Sequence, residues 1–156
     1  MNATVEIVNE CGFEDLPGNP ECAGWVSEVL DCVGHKQASS VSIAFVSAER
    51  SASLNAGFRG KQGATNVLSF SPAVDTVLPD ELTGFLGDIV LCPDIVMREA
   101  EDQGKTIRQH MTHLVVHGCL HLLGYEHDTE EQATLMEGLE IKSLRRLGLP
   151  NPYLLT

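Results

Sequence analysis

Residues 106–127 read T-I-R-Q-H-M-T-H-L-V-V-H-G-C-L-H-L-L-G-Y-E-H. The segment opens with a Thr-x-x-Gln capping box, so we expect a helix to begin there. His117 and His121 are four residues apart, which places both imidazoles on one helix face, about 6 Å apart along the axis. Gly124 can adopt the left-handed conformation that ends a helix, and the chain would then return with His127. The spacing therefore predicts a metal site formed by these three histidines.

Three protein nitrogens leave one position of a tetrahedral zinc open for water or substrate, so the motif predicts one catalytic zinc per chain. The same spacing occurs in metzincin proteases, which carry a glutamate general base directly after the first histidine. Here Gly118 stands in that position. A register shifted to His113 and His117 stays open, because these two are also four residues apart. The glycine turn favours His117 and His121, and a histidine-rich core helix is the remaining interpretation.

The chain has 156 residues, of which 43% are hydrophobic, and this suits a single globular domain over residues 1–156. Its five cysteines are an odd number without a C-x-x-C pair, which argues against a disulfide framework or a cysteine zinc site and favours a reducing compartment. No signal peptide pattern and no run long enough to span a membrane is evident. We therefore expect a cytoplasmic protein without membrane association.

The formal net charge is −12, from 10 Lys and Arg against 22 Asp and Glu. An acidic surface repels phosphate polymers, so the net charge alone argues against nucleic acid binding. A local cationic groove is nevertheless compatible with it. Arg59 and Lys61 lie in a glycine-rich stretch, and arginine can bind phosphate oxygens through two parallel hydrogen bonds. This stretch is either a phosphate-binding loop or a solvated surface.

Hydrophobic periodicity and turn residues predict an α/β (α+β) domain with about four strands and about five helices. Strands are expected at residues 4–8, 41–46, 66–70 and 85–92, with the last two antiparallel, which makes the sheet mixed. Helices are expected at about 21–33, from 48 to near Gly57, from Pro93 to near Gly104, from Thr106 onward, and from Thr129 to about Leu147.

Several residues near these motifs carry polar or sulfur side chains. Asp88, at a strand, is either a polar residue at the sheet end or a hydrogen-bond partner for a ligand histidine. Glu126 and Asp128 flank the third histidine and could also serve as a partner or base, although an exposed turn carboxylate is favoured. Cys119 and Met136 are expected to pack in the core.

Taken together, these segments closely resemble the YbeY family of metal-dependent endoribonucleases, bacterial rRNA maturation factors. The resemblance rests on His117-Gly-Cys-Leu-His121-Leu-Leu-Gly-Tyr-Glu-His127, Asn55-x-x-Phe-Arg59-x-Lys61, Thr65-Asn-Val-Leu-Ser-Phe70 and Leu86-Gly-Asp-Ile-Val90. It implies a small α/β fold with its metal in a cleft between helices and sheet. It also implies zinc ligands at His117, His121 and His127, and a functionally required Arg59.

The resemblance further implies cleavage of single-stranded RNA, 16S rRNA 3′-end maturation and ribosome quality control in the cytoplasm. Its expected partners are an rRNA precursor and the ribosome or ribosomal proteins. Two other functions compete with this one. A metallopeptidase is suggested by the histidine spacing and opposed by Gly118. A non-enzymatic ribosome assembly factor with structural zinc is opposed by the open coordination position.

Overall fold

The computed structural model describes residues 3–72 and 84–154. This part of the chain folds into four strands and five helices, which confirms the predicted α/β class. In chain order, the elements are β1 (Ala3–Asn9), α1 (Asn19–Val33), β2 (Ser39–Phe45), α2 (Ala48–Arg59), β3 (Val67–Phe70), β4 (Phe85–Leu91), α3 (Pro93–Gln103), α4 (Ile107–Leu122) and α5 (Glu130–Arg146).

The four strands form one mixed sheet in the order β1-β2-β4-β3. β1, β2 and β4 run parallel, and a connection through α1 joins the first two, as parallel neighbours require. β3 pairs antiparallel with β4, from Val67 opposite Leu91 to Phe70 opposite Asp88, so the predicted antiparallel pair is confirmed. β3 is an edge strand, and α4 packs beside it.

The main core lies where α1, α4 and α5 pack together and α4 covers the sheet. Most of its side chains are Val, Leu or Ile, and burying each of these stabilises the fold by about 1.5–3 kcal/mol. Cys119 and Met136 belong to this core, with exposed fractions of 0% and 1%, as expected. Burial raises the pKa of the Cys119 thiol to about 12, so this cysteine is an inert packing residue.

Helix α2 is longer than expected from the sequence. It continues through Gly57 to Arg59, because the residue in the left-handed conformation is Gly60, with φ of 66°. Arg59 is therefore the last helical residue, where its positive charge interacts favourably with the helix dipole. None of the described helices is long and apolar enough to cross a membrane.

Candidate metal centre

The three predicted ligand histidines lie together. His117, His121 and His127 each offer one ring nitrogen, and these nitrogens all lie within 4.8 Å of one another. After His121, α4 ends with the backbone N–H of Gly124 donating to the His121 carbonyl and that of Tyr125 donating to the Leu120 carbonyl. Gly124 has φ of 98°, a conformation that glycine adopts without strain. This turn brings His127 back toward the end of the helix.

Hydrogen bonds fix the tautomers of two of these histidines. His117 Nδ1 lies 2.7 Å from Glu140 Oε1, and His121 Nδ1 lies 2.9 Å from the Tyr125 carbonyl oxygen. A carboxylate and a carbonyl only accept hydrogen bonds, so both Nδ1 atoms carry the hydrogen. In the neutral rings, both Nε2 atoms are then left with a free lone pair, which is the form that binds metal.

The two Nε2 atoms lie 3.1 Å apart. Two unprotonated nitrogens cannot hydrogen-bond to each other, so this pair is suited to sharing a cation. Ligand nitrogens around a tetrahedral zinc are about 3.3 Å apart when each bond is about 2.0–2.1 Å. Burial, and then the neighbouring His117, lower the pKa of His121, which favours the neutral ring. The residues present therefore fit a metal ion.

Glu140 is the residue behind this site that the sequence analysis missed. Its side chain on α5 has an exposed fraction of 0%, and it accepts hydrogen bonds from His117 Nδ1 at 2.7 Å, from His113 Nε2 at 3.2 Å and from the Tyr153 hydroxyl. Burial acts to raise its pKa, but the three donors lower the pKa to about 2. Glu140 is therefore an ionised carboxylate that orients the imidazole of His117, one of the three candidate ligands.

His113 is held in a different way. It donates to Glu140 at 3.2 Å, and it lies outside the group of three converging nitrogens. His110, one turn earlier, is paired with Glu99 at 2.9 Å. The geometry therefore brings together His117, His121 and His127. The two earlier histidines of α4 are instead partners of buried or half-buried carboxylates.

Arg59 lines the same cleft as the three histidines. The cleft has a volume of about 280 Å³, and its other lining residues are residues 66–69, Ser71 and Glu126. The loop after Arg59 is tied back onto α2, because Asn55 Nδ2 donates to the Gly63 carbonyl at 2.9 Å and Ser51 Oγ donates to the Thr65 carbonyl at 2.8 Å. Among the described residues, no carboxylate forms an ion pair with Arg59. Its guanidinium is therefore available to an anion.

The other candidate residues lie at varying distances from the histidines. Lys61 is exposed and is not among the residues that line the cleft. Glu126 Oε2 lies 3.7 Å from His121 Nδ1, at the rim. Asp88 lies in β4 opposite Phe70, whereas the described hydrogen bonds of the ligand rings go to Glu140 and Tyr125. Asp128 donates its backbone N–H to Gln132 in the cap of α5.

Gly118 lies where α4 packs closely against β3 and β4. A Cβ atom there would lie 3.0 Å from Ser69 Oγ and 3.2 Å from Ile89 Cγ2. The position directly after His117 therefore faces the packed side chains of Ser69 and Ile89, and a glutamate would not fit without displacing them. This geometry opposes the protease arrangement, in which that position carries the general base.

We expect Glu140→Gln to lower the free energy of unfolding by about 2–4 kcal/mol, because the amide turns an N–H₂ group toward donors that need an acceptor. Metal affinity should fall about 10–100-fold, because the His117 ring would no longer be held by the carboxylate. Denaturant unfolding and a competition titration with a metal chelator measure the two effects. The control is Glu131→Gln, an exposed glutamate in the first turn of the same helix; similar losses in both variants would contradict a special role for Glu140.

The lowered pKa of Glu140 also predicts a pH dependence with a definite sign. A folded-state pKa of about 2, below the usual 4.5, means that this carboxylate stabilises the fold above pH 4.5 and loses that contribution as the pH falls toward 2. The stability difference between the wild-type chain and Glu140→Gln should therefore shrink over that interval. A difference that stays constant across the interval would contradict this assignment.

The protein is therefore a small α/β domain in which three histidines, one of them held by a buried carboxylate, form a candidate metal site that shares a small cleft with an arginine. The comparison with known families agrees with this class. The Endoribonuclease YbeY family model matches residues 13–148, and the chain belongs to that family.

Individual relatives support this assignment. The chain is 42% identical over 151 residues to an Endoribonuclease YbeY from Coxiella burnetii, covering 96% of this chain and 97% of the relative. It is 47% identical over 129 residues to the Methylococcus capsulatus protein of the same name, covering 83% of this chain and 81% of the relative. A solution structure from Thermotoga maritima shares the fold, with a TM-score of 0.56, 23% identity and coverage of 92% of this chain and 91% of that chain.

Proposed function

We propose that this protein is a zinc-dependent endoribonuclease that cuts single-stranded RNA. We further propose that it acts in 16S rRNA 3′-end maturation and ribosome quality control in the cytoplasm. The observation that carries the proposal is the shared cleft of about 280 Å³, in which Arg59 faces the three histidines. The endoribonuclease name of the family to which the chain belongs supplies the substrate class.

Zinc is proposed because the site offers three imidazole nitrogens and the motif contains no cysteine ligand. When bound, a zinc ion supplies Lewis-acid chemistry, polarising a phosphoryl oxygen and favouring the ionisation of water. The protein prepares the ligands for it. Glu140 holds His117 at 2.7 Å, and the Tyr125 carbonyl holds His121 at 2.9 Å, so the free lone pairs converge without rearrangement.

Arg59 is proposed to bind the phosphate that is cut. Its planar guanidinium can contact two phosphate oxygens at once, and it stabilises the negative charge that builds up as the phosphorus gains a fifth substituent. Lys61, two residues further along and exposed, is proposed to contact the RNA backbone outside the cleft. These two residues supply local positive charge on a chain whose net charge is −12.

The alternative function is a metallopeptidase, which the crowded contacts of Gly118 oppose. Incubating the protein with single-stranded RNA, structured RNA and casein, each with and without a chelator, distinguishes the two. We expect chelator-sensitive cleavage of single-stranded RNA only. Cleavage of casein would instead support a peptidase, and chelator-resistant RNA cleavage would contradict the proposed metal dependence.

The acidic surface predicts that RNA binds weakly and that its affinity depends only slightly on the salt concentration. Few phosphates can be neutralised by Arg59 and Lys61, so a plot of log affinity against log salt should have a slope on the order of −1 to −3, at about −0.7 per phosphate contact. The affinity and site selection that the isolated chain lacks would come from the ribosome or a ribosomal protein. A steep slope in a fluorescence binding titration would contradict this arrangement.

A further inference from the structure

A second and larger cavity lies directly beside the metal cleft. Its volume is about 710 Å³, and Asn66, Val67 and His117 line both spaces. A ligand that reaches past His117 from the cleft would therefore enter this cavity. The volume falls within the range of about 300–1,000 Å³ that is typical of small-molecule sites, which is enough for one nucleotide.

One wall of the cavity is the ring of Tyr153, which lies after α5 near the carboxyl end of the described chain. Its hydroxyl donates to Glu140, and its ring meets the His113 ring edge-to-face, with centroids 5.6 Å apart and planes at 86°. Tyr153 nevertheless stays 43% exposed. An aromatic ring fixed at its hydroxyl end and open on another side is a suitable surface for stacking a nucleobase.

The charges of the cavity differ from those of the cleft. The charged residues that line the cavity are Glu99, Asp102 and Lys105. Two carboxylates and one ammonium give the lining a net negative charge, which is unfavourable for binding a phosphate. Glu99 already accepts hydrogen bonds from Asn66 at 2.9 Å and His110 at 2.9 Å. Arg59 lines the metal cleft and is not among the residues that line this cavity. This distribution favours the phosphate at the Arg59 side and an uncharged group on the Tyr153 side.

We propose that this cavity binds the nucleobase of a nucleotide next to the phosphate that is cut, with the base stacked on Tyr153. The inference rests on the proposed function, because it requires RNA as the substrate. It also gives a physical reason for single-strand selectivity. A base can enter the cavity only when it is released from its own stack, and this costs little in single-stranded RNA and much in a duplex.

The test is the binding of a short fluorescein-labelled single-stranded RNA to the full chain, measured by anisotropy with EDTA present to prevent cleavage. Tyr153→Leu should weaken binding by at least about fivefold, because stacking on an aromatic ring contributes substantially per base. Tyr153→Phe keeps the ring and should bind close to wild type. The control is Phe13→Leu, a partly buried aromatic residue between β1 and α1 that lines neither the cavity nor the metal cleft, and it should leave the affinity unchanged.

A second measurement locates the base. The cleavage site of the same RNA is mapped with the zinc-loaded wild-type chain, and single abasic positions are then introduced on either side of it. One adjacent abasic position should weaken binding to the wild type, and the same position should cost nothing further in Tyr153→Leu. Thermal melts establish that the variants are folded.

Wild-type affinity in a folded Tyr153→Leu variant would overturn the inference. Equal losses in Phe13→Leu and Tyr153→Leu, or an abasic penalty that persists in Tyr153→Leu, would also overturn it. If those results appear while single-stranded RNA is still cut, only the base site is wrong and the proposed function stands. If no RNA is cut by the zinc-loaded chain, the proposed function itself fails.

Discussion

Arg59→Glu is expected to abolish RNA cleavage, with a loss of at least about 100-fold in rate, because a group that stabilises transition-state charge is replaced by one that repels it. The fold and the metal content should not change, since Arg59 is exposed at the last position of α2. The buried residues that tie down this region are Ser51 and Asn55. The measurements are the cleavage rate, a thermal melt and elemental analysis of the same preparation.

The matched control is Arg50→Glu. It makes the same change of charge on the same helix, at an exposed residue that does not line the cleft. A general electrostatic effect of lowering the net charge by two would slow both variants equally, whereas a phosphate contact would slow only Arg59→Glu. Unchanged activity in a well-folded Arg59→Glu variant would remove this residue from the mechanism.

His121→Ala is expected to remove the metal. The two remaining imidazoles cannot retain a tightly bound zinc, so the content should fall from one ion per chain to a small fraction, with loss of RNA cleavage. His113→Ala, the control on the same helix, should keep the metal, because that ring contacts Glu140 and lies outside the converging group. Full zinc in His121→Ala and loss of zinc in His113→Ala would instead support the shifted register.

Features set by neighbouring residues were predictable from the sequence. The capping boxes that open α4 and α5 are present as expected, and so is the left-handed glycine at 124. Each of these depends on residues within about one helical turn. The strands β3 and β4 followed from short apolar runs separated by turn residues, and their antiparallel pairing is confirmed.

Features set by packing between distant elements were not predictable in this way. Glu140 and His117 are 23 residues apart in sequence, and only the contact between α4 and α5 brings them together. Glu126 and Asp128 were the carboxylates considered as partners for the histidines, because they flank His127 in the sequence. The signal that could have identified Glu140 is its position between the apolar residues Met136 and Leu144, four residues from each, on the face of α5 that is buried.

The shared cleft of Arg59 and the histidines also depends on packing between elements that are distant in sequence. Nothing in the local sequence relates the end of α2 to the end of α4. From the sequence alone, the glycine-rich stretch with Arg59 could equally have been a solvated surface. Arg59 lines the cleft as the last residue of α2, where Gly60 adopts the left-handed conformation and where Asn55 and Ser51 hold the following loop. Composition alone does not tell which of two glycines three residues apart, Gly57 or Gly60, ends the helix.

The most direct test of the account is the rate at which single-stranded RNA is cut by the metal-stripped chain as zinc is added back. The account predicts no cleavage at zero zinc and a rate that rises linearly and reaches its plateau at one zinc per chain. Control titrations with His121→Ala should stay flat. Cleavage at the full rate by the stripped wild-type chain would contradict a metal-dependent mechanism at the three histidines.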